Sequence, residues 1–299
     1  MSKRSREAAG QASNGAPASQ SAKNVPTIIV PLDGTIHAIA ALPVGKGLAE
    51  LEGATLHIVH VAEPILPPRE VISKLGLTPE QLRGSVLNHM TGTPATSIAR
   101  LAREWQSSFI VMCTHTRMDR PHEKLGSVAE EVLRLAPCPV VLVRPQRGLQ
   151  PWVLRRILLP HDGTPTTSAA IGPAADLADR ASAELVVLHV AAPGTGRPVE
   201  PGTFAAPRYL DQPQHEWPAW TQEFIQRCSA LGHAPAEMKL RLLLAKGEPG
   251  AEIVRFAAEQ NADLIVLGWR GQLEAERAAT MKRVISDAPC PVLVTRVET

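Results

Sequence analysis

Aromatic residues are scarce in this chain, only 3% of its 299 residues, and there are just four cysteines. With so few rings, the cores must be packed from Val, Leu, Ile and Ala, the palette of parallel strands covered on both faces. The cysteines (Cys113, Cys138, Cys228, Cys290) form no C-x-x-C pair and have no neighbouring His cluster. That argues against a disulfide framework or a metal site and fits a reduced, cytoplasmic setting. An excess of one charge is also missing: 31 Lys+Arg against 29 Asp+Glu leave +2, too little for the basic field that nucleic acid requires. No apolar run approaches the roughly 18 to 20 residues of a membrane span, and the first residues hold no apolar signal core. Residues 1–24 are small, polar and modestly basic, and read as a disordered tail.

What is present is a repeat, and a repeat decides the architecture. TIIVPLDGT from Thr27 to Thr35 matches RILLPHDGT from Arg156 to Thr164, and LHIVHV ending at Val61 matches LVVLHV ending at Val190, both at an offset of 129. Gly92-Thr93-Pro94 matches Gly247-Glu248-Pro249 and FIVMC matches LIVLG at an offset of 155, so the second copy carries an insertion of 26 residues. APCPVVLVR matches APCPVLVTR at 152, which removes three residues after the fourth strand of the second copy. Apolar runs of strand length alternate with helix-like stretches in each copy, which predicts βα units and a parallel sheet.

The strands expected in the first copy are 27–31, 56–61, 86–90, 109–113 and 139–144, and in the second 156–160, 185–190, 239–245, 263–268 and 291–295. Thr93-Pro94 and Glu248-Pro249 open helices, because proline at the first helical position loses no hydrogen bond. Asp33-Gly34 and Asp162-Gly163 fall where strand one turns towards a helix that the Asp can cap. The Pro- and Gly-containing stretch 144–156 is the linker, which gives a first domain over 25–148 and a second over 149–299.

The strand-one P-x-D-G-[ST], the His-Val that closes strand two, and the block LGSVAEEVLRLAPCPVVLVRP resemble the universal stress protein family, in order and twice over. The resemblance implies two tandem Rossmann-like α/β domains, each an open parallel five-stranded sheet of order 3-2-1-4-5 with helices on both faces. Ligands in such sheets settle beyond the carboxyl ends of strands one and four. It also implies that the last strands of the two copies pair, through 139–144 and 291–295, as an intramolecular pseudo-dimer; a homodimer of the chain is a further assembly it allows.

Members of the family that bind ATP carry G-x2-G-x9-G-[ST] after strand four, where the glycines let backbone amides approach phosphate. Carried over by position, the first site comprises Pro31, Asp33, Val61, Cys113, Thr116, Gly126 and Ser127, and the second Pro160, Asp162, Val190, Gly268 and Gly271. Both depart from the pattern. Cys113 and Thr116 replace the first two glycines in copy one, whereas copy two keeps Gly268 and Gly271 but has Ala278-Ala279 for Gly-Ser and a shorter loop. If one half binds, loop length favours the first.

Plainer readings stand beside these. Ser127-x-x-Glu130 forms a capping box, Asp33 and Asp162 are N-caps, His60 and His189 are satisfied residues at strand ends, and Cys138 and Cys290 are small packing residues. Arg117, Arg120 and Lys124 either meet phosphates or are charges on a solvated loop. No Ser-His-Asp or Cys-His arrangement, paired carboxylates or Walker lysine offers a catalytic group. The function expected is a stress-response regulator binding ATP or another adenine nucleotide, without metal, nucleic acid or membrane. Its rivals are a slow ATPase of the adenine nucleotide α-hydrolase-like class and a nucleotide-free interaction module. The insertion, about 191–238, holds Phe204, Tyr209, Trp217, Trp220 and Phe224, half of the ten aromatics. It either covers a groove or partner surface or forms a satellite core around a helix near 217–231.

Overall fold

A computed structural model describes residues 25–114, 125–145, 150–191, 222, 224–232, 239–270 and 276–297, the last stretch with side chains from Ala278 onward. In chain order the first half runs β1 (Thr27–Pro31), α1 (Ala41–Glu52), β2 (Thr55–Val61), α2 (Pro68–Leu75), α3 (Pro79–Leu82), β3 (Ser85–Met90), α4 (Pro94–Glu104), β4 (Phe109–Cys113), α5 (Ser127–Leu135) and β5 (Val140–Val143). The second half runs β6 (Arg156–Pro160), α6 (Pro165–Ser168), α7 (Ile171–Ala181), β7 (Glu184–Ala191), α8 (224–230), β8 (Leu240–Lys246), α9 (Pro249–Glu259), β9 (Leu264–Trp269), α10 (Glu276–Asp287) and β10 (Val292–Arg296). Every strand expected from the sequence is found, with ends shifted by at most one residue.

The sheet order is β3-β2-β1-β4-β5-β10-β9-β6-β7-β8, so each half has the order 3-2-1-4-5. The two five-stranded sheets join edge to edge into one ten-stranded sheet. The seam is antiparallel, Val292 opposite Leu142 and Val294 opposite Val140, and every other pairing is parallel. The pairing of last strands that the resemblance implied is therefore present. Because the seam is antiparallel, the carboxyl ends of the first half's strands and those of the second half's point to opposite edges of the sheet.

Alternation along each strand fixes the layers. Ile28 and Val30 enter a core under α1 and α7, while Ile29 enters the opposite core under α4, α5, α9 and α10. Both cores contain residues of both halves, so neither stops at the seam. Two arginines brace it reciprocally. Arg144 donates from Nη1 to the Ala288 carbonyl beyond α10 (3.1 Å), and Arg296 donates from Nη1 to the Arg134 carbonyl in the last turn of α5 (2.9 Å). Each cation thus meets the negative end of the other half's helix. Trp152, from the linker, donates its indole N–H to the Asp263 carbonyl at 3.1 Å.

Phe224, the one aromatic of the insertion among the described residues, is fully buried, and Cys228 one turn later is buried beside it in the core on the α1 and α7 side. In the first half, Val71 and Leu75 of α2 occupy the same i, i+4 relation against that core. The expected satellite core is, at this point, the main core. Phe204, Tyr209, Trp217 and Trp220 lie outside the described residues.

Candidate functional site

The ladder between β1 and β4 consists of Ile28 with Phe109 and Ile29 with Ile110, and then ends. β1 continues beside β2 to Pro31 opposite Val59, and β4 continues beside β5 to Cys113 opposite Val143. The two strands therefore splay after their second pair, which opens a crevice at the carboxyl edge where the strand order reverses. The second half repeats this: β6 and β9 pair only through Leu158 and Ile265, then part.

Turns of one design leave β1 and β6. Asp33 Oδ1 accepts from the Thr35 amide (2.9 Å) and hydroxyl (2.7 Å), and Asp162 Oδ1 accepts from the Thr164 amide (3.0 Å) and hydroxyl (2.6 Å) and from the Thr167 hydroxyl (2.8 Å). Both aspartates stay exposed. Neither caps a helix, a correction to the N-cap reading: each closes a turn onto the residue two positions on, and Thr164 is the cap of α6. The glycines between require their lack of a side chain, with φ of +89° at Gly34 and +83° at Gly163.

Equivalent histidines pin strand two to strand one. His60 donates from Nδ1 to the Leu32 carbonyl at 2.8 Å, and His189 from Nδ1 to the His161 carbonyl at 2.9 Å. Burial lowers the pKa of both, so each is a neutral clamp. The satisfied-residue reading holds for both Nδ1 atoms, but Nε2 of His60 is buried without a partner among the described residues.

On the face shared with α4 and α5, strand alternation places Pro31 of β1 level with Val59 of β2, and Val61 of β2 and Thr114 beyond β4 one step further towards the carboxyl edge. Gly126 donates its amide to the Thr114 carbonyl at 2.8 Å. Cys113 falls on the opposite face and is buried. Ser127 is the first residue of α5 and exposed, and Gly126 is its N-cap, with no side-chain cap bond. The capping box expected at Ser127 and Glu130 is thus not formed, because Gly126 takes the extended cap conformation and moves Ser127 into the helix. Among the described residues no side chain caps the start of α5, whose first amides carry the positive end of the helix dipole. Thr116, Arg117, Arg120 and Lys124 lie outside the described residues.

Thr114 is a residue that the motif reading missed. It is 2% exposed, its amide bonds the Val143 carbonyl at 2.8 Å, and its hydroxyl has no partner among the described residues. Only its position next to Cys113 marks it in the sequence.

The second crevice is built differently. A Cβ added to Gly268 would lie 2.1 Å from the Thr166 carbonyl oxygen, so this glycine admits the backbone of α6 and not a ligand. Cys113 at the matching place shows that no such approach occurs in the first half, since a real Cβ stands there. Pro160 is buried at the end of β6 and Val190 half-buried near the end of β7. Gly271 lies outside the described residues. α10 begins at Glu276, three residues ahead of Ala279, which matches Ser127, so no helix start occupies that place.

A hydrogen-bonded string holds α6 in position. The Gly163 amide donates to His161 Nδ1 at 3.1 Å, which leaves the ring proton on Nε2, 3.4 Å from Ser168 Oγ. Ser168 donates to the Thr164 carbonyl at 2.9 Å and accepts from Arg227 of α8. Phe224 meets the His161 ring edge-on at 5.5 Å between centroids. Desolvation pushes the pKa of His161 down to about 3. Burial pushes the thiols of Cys138 and Cys290 up to about 12 and that of Cys228 to about 11, as befits packing residues. Among the described residues, no group of three or more His, Cys, Asp or Glu could hold a metal ion, and no helix is long and apolar enough to cross a membrane.

Comparison with known proteins matches the chain to the Universal stress protein family over residues 24–144 and again over 154–296. A universal stress protein of Mycobacterium tuberculosis is 25% identical over 272 residues, covering 82% of this chain and 86% of its own length. One from Methanocaldococcus jannaschii is 29% identical over 147 residues, 48% of this chain and 82% of its own. Among solved structures, a universal stress protein from Archaeoglobus fulgidus superposes with a TM-score of 0.61 at 19% identity, covering 90% of this chain and 96% of that one, a likeness of fold.

Proposed function

Because this chain belongs to the universal stress protein family, we propose that it is a cytoplasmic stress-response regulator of two domains, 25–148 and 149–299, whose first half receives an adenine nucleotide. The observation that carries this reading is the difference between the two crevices. The first combines the splay of β1 from β4 with Pro31, Val61 and Thr114 on one face of that edge and a start of α5, at Gly126 and Ser127, that no side chain caps among the described residues. In the second, α6 lies against Gly268. The residues of the first half fit the nucleotide and those of the second do not.

In this reading Asp33, exposed beside the crevice, meets the adenosine side, Pro31 and Val61 supply apolar walls, and the amides of Gly126 and Ser127 receive phosphate oxygens. Cys113 packs behind the site. Bound ATP would supply charge and a change in shape and not chemistry, because no nucleophile with a base stands at this edge among the described residues. The protein acts by association.

Calorimetry with ATP, ADP and AMP, together with product analysis, tests this. Saturable binding of one nucleotide per chain, lost in Asp33→Ala and kept in Asp162→Ala, is expected. Steady release of ADP would move the protein to the slow ATPase class, and no binding of any of the three would leave a nucleotide-free interaction module.

A further inference from the structure

At the carboxyl end of the fourth strand the halves carry different residues: Thr114 in the first, Trp269 at the matching position in the second. Both are buried, 2% and 5% exposed, and each carries a polar side-chain atom without a partner among the described residues, Thr114 Oγ1 and Trp269 Nε1. Leaving a hydroxyl buried and unbonded costs stability, so a fold without a use for it would favour valine, which has the same shape. Thr114 lies on the face shared by Pro31 and Val61, and its own carbonyl holds the Gly126 amide at the start of α5. That backbone bond sets the start of α5 beside Thr114. Trp269 instead is a member of the apolar core under α4, α5, α9 and α10, and brings a far larger side chain to the same place.

We propose that the Thr114 hydroxyl is a ligand-contact group of the first crevice, bonding an oxygen of the nucleotide, and that Trp269 at the same place excludes a ligand from the second. The inference rests on the nucleotide reading above and assigns it a residue at a position that the family motif leaves unspecified. It makes stability and binding move in opposite directions. In Thr114→Val the ligand-free protein is as stable as the parent or melts higher, because an unpaired hydroxyl has gone, while affinity for ATP falls roughly tenfold or more. Thr114→Ser, which restores the hydroxyl, binds like the parent. Trp269→Phe, which removes the indole N–H and keeps the bulk, leaves stoichiometry and affinity unchanged.

The experiment is calorimetric titration with ATP and thermal melting of the full chain and these three variants. If the parent binds and Thr114→Val binds equally well, Thr114 has no contact and this assignment falls while the nucleotide reading stands. If Thr114→Val melts markedly lower, the hydroxyl has a structural partner and the assignment falls likewise. Affinity lost in Trp269→Phe would put the ligand in the second half and overturn the proposal. If the parent binds no nucleotide, the functional reading itself is what failed.

Discussion

The two halves are copies of one sheet, yet their carboxyl edges have diverged into opposite solutions. In the first, a side chain at Cys113 keeps the β1 turn at a distance, and no side chain among the described residues caps the helix start beyond β4. In the second, a glycine lets the turn collapse onto β9, and a helix of the insertion bolts it there through Arg227, Ser168 and His161. Glycine at this position, which reads as an opening for a ligand, serves here to close the crevice. A motif residue is thus defined by what approaches it, and the approaching group can be the chain's own backbone.

The comparison can be broken most severely at Phe224. Its truncation to alanine should cost about 3 to 5 kcal/mol, the range for a buried ring, and because its core runs across the seam, chemical denaturation should show the loss for the whole chain. Gly268→Ala places a methyl against the Thr166 carbonyl and should cost about 1 to 3 kcal/mol as strain, whereas Cys113→Ala in the first half leaves room and costs less.

Acid sharpens the contrast. The folded-state pKa of His161 is lowered to about 3 and that of His189 is lowered as well, so the unfolded chain takes up protons first as pH drops below the ordinary histidine value of 6.5. Stability is therefore full above that value and falls as pH drops from there, by roughly 2 kcal/mol at pH 5 for His161 alone. The first half has Leu32 at the matching position and so lacks this contribution, and His161→Leu should flatten the pH dependence of melting. The smallest effect belongs to the seam: Arg144→Ala removes one charge-assisted bond and should lower stability by about 1 kcal/mol, as should Arg296→Ala, both read from melting curves.

The fold was legible because its signals are local and repeated. Strand lengths followed from apolar runs such as FIVMC and LIVLG, helix starts from Thr93-Pro94 and Glu248-Pro249, and the strand order from the resemblance carried by those blocks. The site was legible only in part. The positions of Pro31, Asp33, Val61, Gly126 and Ser127 at the carboxyl edge could be placed from sequence, but their surroundings could not. That Gly268 meets Thr166, that Phe224 enters the main core, and that Asp33 closes a turn instead of a helix all depend on contacts between segments distant along the chain or on one or two dihedral angles. The buried hydroxyl of Thr114 leaves no mark in a pattern search, since a threonine beyond a strand is unremarkable until its partners are counted.

The antiparallel join of β5 to β10 has a consequence for how such a protein responds to its own abundance. Two separate chains meeting along this edge would come apart on dilution, whereas here the encounter is unimolecular and its extent is the same at any copy number. The halves are also made in strict one-to-one ratio and never exchange partners. One of them is then free to give up its pocket and serve as a permanent brace for the other.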